Sequence, residues 1–444
     1  MSTVLRSRPR ARVMLAGAIG GLALLAAACG APADPGGGTA PGPTADQAAY
    51  NERGPITYVQ GKDTSGFLQK QIDKWNEANP DQEVTLVELP EDADSQRAQF
   101  VQNAQTRNPD YTVLGLDVVW TAEFAANSWV DPLPSDQLDL TDFVQGGVQT
   151  STYFDQLYAV PLTANGALLY YRKDLLDAAG VTKVPTTYAE MKQACETVKS
   201  KVAEAKDIDC YSGQHQKYEG LTVNISEAVN SSGGSMTDEQ GKPAVNTPEA
   251  KQAFQWLADW FADGTIPKEA LTWKEEESRT AFQDGKLIFM RNWPYAYALA
   301  NKGDGSSKVN GKFDIAPLPG LNGPGTSTLG GRNLAISAFA KNKGTALEFV
   351  KYMTQPEQQK EMALQTSQAP ILTSLYDDAE LNKTYGYYPV LLESLKSAKQ
   401  RPQVVRYGDV TLAIQDAVYP VEQGTSQPDA AADQLQTRLS ELTG

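Results

Sequence analysis

The chain has 444 residues, 39 of them Lys or Arg and 54 Asp or Glu, for a net charge of −15, with 41% apolar and 21% charged content. Such a length holds two or three domains with sizeable cores, and the apolar share excludes wholesale disorder. The acidic balance argues against nucleic acid, whose phosphates need a basic face. The single histidine, His215, and the lack of any Cys-x-x-Cys pair exclude multi-histidine metal centres and zinc ribbons.

The first 54 residues do not read as core. Arg6, Arg8, Arg10 and Arg12 precede Val13 to Ala28, an apolar or small run of about 16 residues. That is short for a spanning helix and right for a signal-peptide core. The run Leu25-Ala26-Ala27-Ala28-Cys29 resembles the lipobox of bacterial lipoproteins, in which the leader is cut before a cysteine that carries lipid. Leucine stands four residues before the cysteine here, where three is usual, and an ordinary secretory signal with an Ala-x-Ala site is the alternative. The reading is a signal peptide over 1–28, lipid on Cys29, and an extracytoplasmic protein held at the cell membrane. Removing 1–28 takes four arginines and no acid, leaving 35 basic against 54 acidic residues, or −19. Residues 29–54, dense in Gly, Pro, Ala and Thr, read as a disordered tether. Once Cys29 is set aside, Cys195 and Cys210 remain. In an oxidising compartment they are expected to pair across 15 residues of sequence, worth about 3 kcal/mol; two buried thiols are the alternative.

From there strands and helices alternate. Ile56 to Val59 reads as strand; a helix with Leu68, Ile72 and Trp75 on one face follows and ends at Asn79-Pro80. Val84 to Leu89 is strand, 94–107 helix and Tyr111 to Leu116 strand. This β-α-β-α-β order predicts a doubly wound α/β sheet. Gly166 to Arg172 is another buried run, and Thr187 with Glu190 forms a capping box for a helix to about Lys201. A helix over 249–263 carries the stripe Ala253, Phe254, Leu257, Trp260 and Phe261. Leu287 to Met290, Phe313 to Ala316 and 333–340 read as strands. Thr345 with Glu348 predicts a second capping box, opening a helix that Pro356 interrupts, and the last 70 residues read as helical.

Several segments resemble the extracellular solute-binding proteins of ABC sugar importers, closest to the trehalose- and maltose-binding lipoprotein branch. They are Asp117-Val118-Val119-Trp120 with Glu123-Phe124-Ala125, Tyr158-Ala159-Val160-Pro161, Tyr170-Tyr171-Arg172-Lys173-Asp174-Leu175-Leu176, Tyr218-Glu219-Gly220-Leu221-Thr222, Arg291-Asn292-Trp293-Pro294-Tyr295 and Arg401-Pro402. The resemblance covers about 54–444. It implies a two-lobed periplasmic-binding-protein fold, type II-like, whose lobes are each a doubly wound sheet built from discontinuous chain. The N-terminal lobe would take 54–163 and 315–370, and the C-terminal lobe 164–314 and 371–444. Hinge crossings are expected near Thr163-Ala164, Asp314 and Ser367 to Thr373, with ligand in the cleft between lobes. That agrees with the rule that open α/β sheets bind beyond the carboxyl ends of their strands.

A sugar offers hydroxyls on its edges and C–H groups on its faces, so a site for it needs planar polar groups and aromatic rings. Asp117, at the end of a strand, can accept from two adjacent hydroxyls or cap the next turn. Asn165 at the first crossing can donate and accept. The resemblance makes Trp293 a stacking platform and Arg401 a donor from the second lobe. Gly331, beside Gly330, permits close backbone approach. Glu123, Arg97 and Asp63 are further candidates; Glu276, in an acidic run, is left unassigned, and His215 reads as structural. No catalytic residue, metal or cofactor is expected.

The leading expectation is binding without chemistry: capture of a neutral α-linked glucose disaccharide, trehalose first and maltose second, by a monomer that delivers it to an ABC permease and its ATPase. The rivals are a secreted glycoside hydrolase using a carboxylate pair, and a binder of phosphate esters, which the −19 charge and the lack of a Gly-Lys phosphate loop disfavour.

Overall fold

The computed structural model describes residues 47–238 and 241–443. The signal peptide, Cys29 and most of the expected tether therefore lie outside the described residues. The last residues of that tether belong to the fold instead: Ala49–Asn51 is a short 3-10 helix, and Tyr50 is buried, its hydroxyl donating to Pro132 O at 3.1 Å. The strands are β1 Ile56–Gly61, β2 Val84–Leu89, β3 Val113–Asp117, β4 Thr152–Tyr153, β5 Gln156–Leu157, β6 Ala159–Asn165, β7 Leu168–Tyr171, β8 Asp209–Ser212, β9 Leu287–Asn292, β10 Asp314–Ala316 and β11 Gly330–Ile336. They form a five-stranded sheet, β2-β1-β3-β11-β6, a four-stranded sheet, β10-β7-β9-β8, and the hairpin β4-β5. This is the two-sheet α/β architecture expected of a two-lobed binding protein.

In the first sheet β1 runs parallel to β2 and β3, while β11 is antiparallel to both β3 and β6. The reversed strand matters for the site, because its amino end lies at the edge where β3 ends: Arg332 pairs with Asp117, and Gly330 with Asn165. The chain passes from the first sheet to the second in the two residues between Asn165 and Leu168. The return expected near Asp314 comes later. Asp314 to Ala316 still pair with β7, and the chain rejoins the first sheet at Gly330.

Local chemistry explains the helix starts. Asp92 caps the helix Ala93–Gln105 through Ser95 N–H, and Thr187 and Glu190 form the expected capping box on Tyr188–Lys201. Thr247 caps Pro248–Ala262, whose proline at the first turn loses no hydrogen bond. The second expected capping box does not form. The helix Lys343–Met353 begins three residues earlier, after Asn342 at φ +55°, and Thr345 Oγ1 instead accepts from Gly54 N–H and donates to Gln82 Oε1. Tertiary partners from the start of the chain outbid the local cap. The strand expected over 333–340 lies three residues earlier, because Gly330 and Gly331 pair with β6.

On one face of the first sheet Tyr58 and Trp75 pack on Phe349, with ring centroids 5.7 and 5.5 Å apart, each such buried ring contributing about 1.5–3 kcal/mol. That core continues without a break into Leu168, Tyr170 and Met290 of the second sheet. The other core of the second sheet gathers Met191, Val198, Phe254 and Trp260 with Ile414, Val418 and Leu435 from the C-terminal helices. Here Cys195 and Cys210 are joined in a disulfide, Cα atoms 5.7 Å apart, tying the helix Tyr188–Lys201 to β8. No helix among the described residues is long and apolar enough to cross a membrane.

Candidate functional site

A cleft with a cavity of about 290 Å³ lies where the strands of both sheets end. Topology selects its lining. The turn after β1 supplies Lys62 to Ser65, the turn after β2 supplies Glu91, and β3 ends in Asp117. Asn165 ends β6, Trp293 and Tyr295 follow β9, and the reversed β11 brings in Gly330, Gly331 and Arg332. The carboxyl ends of parallel strands are where open α/β sheets hold ligands.

Asp117 Oδ1 accepts from Val119 N–H at 3.1 Å and from Arg401 Nη2 at 2.8 Å. The side chain caps the next turn and also lines the cleft. Arg401 is 2% exposed, and its Nη1 donates to Glu219 Oε1 at 2.5 Å. Glu219 opens the helix Glu219–Ser231 and also accepts from Tyr407 Oη and, at 2.7 Å, from Thr411 Oγ1. One guanidinium therefore links a carboxylate at the edge of the first sheet to one from a helix of the second core. Burial, with Asp117 adding to it, pushes the Glu219 carboxyl up to about 7, against the opposing pull of Arg401. Arg401 Nε has no hydrogen-bond partner.

Asn165 Oδ1 is likewise buried and unpartnered, a group whose desolvation costs about 1–3 kcal/mol unless a donor reaches it. Trp293 is half-buried. Its ring edge lies so close to Gly330 that a Cβ there would sit 2.7 Å from Cη2. Gly331 adopts φ +129°, and a Cβ would meet Thr163 O at 2.2 Å. Both glycines are therefore required by the packing around the cleft.

Three candidates are placed differently. Arg97 and Glu123 pair with each other, Nε to Oε2 at 2.9 Å, and neither lines the cleft. The Arg97 guanidinium instead lies against Gly408, where a Cβ would come within 2.4 Å of it. Asp63 does line the cleft, but its oxygens accept from Ser65 N–H, Ser65 Oγ and Leu68 N–H at 2.6–2.9 Å, so they order the turn into the helix Leu68–Ala78. His215 is a buried structural group as expected: its Nδ1 lies 2.7 Å from Glu422 Oε1, and Nε2 accepts from Gly213 N–H. Burial lowers its pKa to about 3.

Sequence reasoning missed several lining residues. Glu219 stands in one of the family-like segments but not among the site candidates, although an acid opening a largely buried helix is a usable signal. Tyr295 donates to Glu276 Oε1 at 2.6 Å, and Glu276 also receives Arg279 Nη2 at 2.6 Å; an acidic run by itself could not announce this. Gln60 accepts from Arg332 Nη1 at 2.8 Å and from Tyr58 Oη at 2.6 Å.

Residues 70–389 match the family described as bacterial extracellular solute-binding protein. The chain belongs to that family. It binds a solute outside the cytoplasm and is not an enzyme, which sets the hydrolase rival aside. A probable ABC transporter-binding protein of Deinococcus radiodurans is 32% identical over 88% of this chain and 94% of its own. A maltotriose-binding protein of Pyrococcus abyssi is 25% identical over 80% of this chain and 74% of its own. Among solved structures, maltose-bound MalE3 of T. maritima superposes with a TM-score of 0.82 at 32% identity, covering 87% of this chain and 99% of that one.

Proposed function

We propose that this solute-binding protein captures a neutral α-linked glucose disaccharide in the cleft and hands it unaltered to an ABC permease and its ATPase. The observation that carries the reading is the set of groups meeting in one cavity: the Trp293 ring, the unpartnered Asn165 Oδ1, and Asp117 held by Arg401. The ring suits the C–H face of a sugar, the amide oxygen awaits a hydroxyl donor, and Asp117 Oδ2 is free of the bonds that hold Oδ1. A cavity of about 290 Å³ suits a compact ligand, near the lower end of the usual range of roughly 300–1,000 Å³. The relatives that bind maltose and maltotriose support an α-glucoside, and trehalose stays beside maltose as the ligand of choice.

In this reading the first lobe is 54–165 with 330–370 and the second 166–329 with 371–444, following the sheet to which each strand belongs. Arg401, touching carboxylates from both, favours the closed arrangement, and ligand adds contacts present only when the lobes are together. The protein acts as a monomer anchored by lipid on Cys29, with 1–28 removed. Calorimetry against trehalose, maltose, sucrose and a longer maltodextrin tests it, with chromatography of the recovered sugar. Tight one-to-one binding of trehalose or maltose, recovered intact, is expected. Indifference to every neutral saccharide would overturn the reading.

A further inference from the structure

We propose that Arg291 is a positioning residue for Trp293: its buried ion pair with Glu227 holds the indole at one angle, so that the ring is already set when the ligand arrives. The inference rests on Trp293 being the stacking platform and adds the device that orients it.

Arg291 is the last residue but one of β9 and Trp293 the first beyond it, and the two side chains lie against each other. The backbone of Trp293 is tied at both ends. Its N–H donates to Asn292 Oδ1 at 2.8 Å, and its C=O accepts from Tyr170 Oη at 2.7 Å. Those bonds fix the main chain and leave the ring free to turn about its side-chain torsions. Two contacts remove that freedom. The Arg291 guanidinium carbon lies over the ring, 4.0 Å from its centroid, and Gly330 closes against its benzo edge.

Arg291 itself cannot move. It is 1% exposed, with Nε to Glu227 Oε2 at 2.7 Å, Nη2 to Glu227 Oε1 at 2.6 Å and Nη1 to Gln214 Oε1 at 2.8 Å. Glu227 Oε1 also accepts from Thr328 N–H at 3.1 Å, two residues before Gly330. A single carboxylate thus fixes the cation beneath the ring and the strand entry beside it. Only a planar guanidinium both chelates a carboxylate with two parallel bonds and lies flat on an aromatic face; a lysine keeps the charge and loses the plane. A ring ordered in advance costs the ligand less on binding.

The test titrates maltose and trehalose by calorimetry into the purified protein and its variants Arg291→Lys, Trp293→Ala and the combination. Near-UV circular dichroism of the sugar-free proteins, each referred to Trp293→Phe, isolates the Trp293 band. Arg291→Lys should weaken the tighter sugar about tenfold and shrink the Trp293 band, and it should add nothing in the Trp293→Ala background. Equal weakening in both backgrounds, or unchanged affinity with an unchanged band, overturns the proposal. Should Trp293→Ala bind both sugars like the parent, the platform reading itself fails, and the sugar-free band still decides whether Arg291 orders the ring. If Arg291→Lys does not fold, Arg291→Met with Glu227→Gln takes its place, since it leaves no unpaired charge, and the same outcomes apply.

Discussion

Arg291 and Arg401 are both almost wholly buried, and they are used in opposite ways. Arg291 gives two parallel bonds to one carboxylate, Glu227, inside the second core. Arg401 divides its two amino groups between Asp117, at the edge of the first sheet, and Glu219, on a helix of the second core. The first pair is a fixed part of one body. In the function proposed above, the second joins parts that separate for a ligand to enter, so its geometry would report on closure. Burying a charge is tolerable in either place only because the partner is there.

The sharpest way to break this comparison is to remove each cation. Arg291→Ala strands Glu227 among buried groups and should cost about 3–5 kcal/mol of stability by thermal or urea unfolding. Arg401→Met should cost less, about 1–3 kcal/mol, because Glu219 can take up a proton while Asp117 faces the cleft. The same variant should lose most of the sugar affinity, about thirtyfold or more, as one charge-assisted contact and the link across the cleft go together. Equal stability losses for the two variants would erase the distinction.

The pH dependence sharpens it further. Glu219 is raised from 4.5 to about 7 in the folded protein, so it binds a proton more tightly when folded. Its contribution to stability is complete below pH 4.5 and is lost as pH rises through about 7. Melting temperatures of the parent should fall across that window by more than those of Glu219→Gln, in which the slope from this residue is absent. Parallel curves for the two proteins would show that Glu219 does not titrate there. The smallest effect on sugar affinity is expected from Arg97→Ala. Its guanidinium pairs with Glu123 outside the cleft lining, so affinity should stay within about twofold of the parent, while the buried Glu123 left without its partner should cost about 1–3 kcal/mol of stability.

How much of this was legible in the sequence depended on the range of the interaction. The β-α-β opening, the capping box at Thr187 and the amphipathic helix Pro248–Ala262 are set by neighbours within a few residues, and they appear where their patterns put them. Thr345 shows the limit: its local pattern fits a cap, yet partners near residues 54 and 82 claim its hydroxyl. The same limit governs the site. Asp117 and Asn165 end strands, which periodicity can show. Glu219 and Arg332 reach the cleft through helix packing and a reversed central strand, which periodicity cannot. Arg97 and Glu123 satisfy each other, a pairing 26 residues apart that neither position reveals by itself.

The most direct measurement is the heat of maltose and trehalose binding to the parent, Trp293→Ala and Asp117→Ala, run side by side. The account predicts saturable one-to-one binding of at least one sugar by the parent and a loss of about tenfold or more in each variant. Undiminished affinity in both variants would place the ligand elsewhere and contradict it.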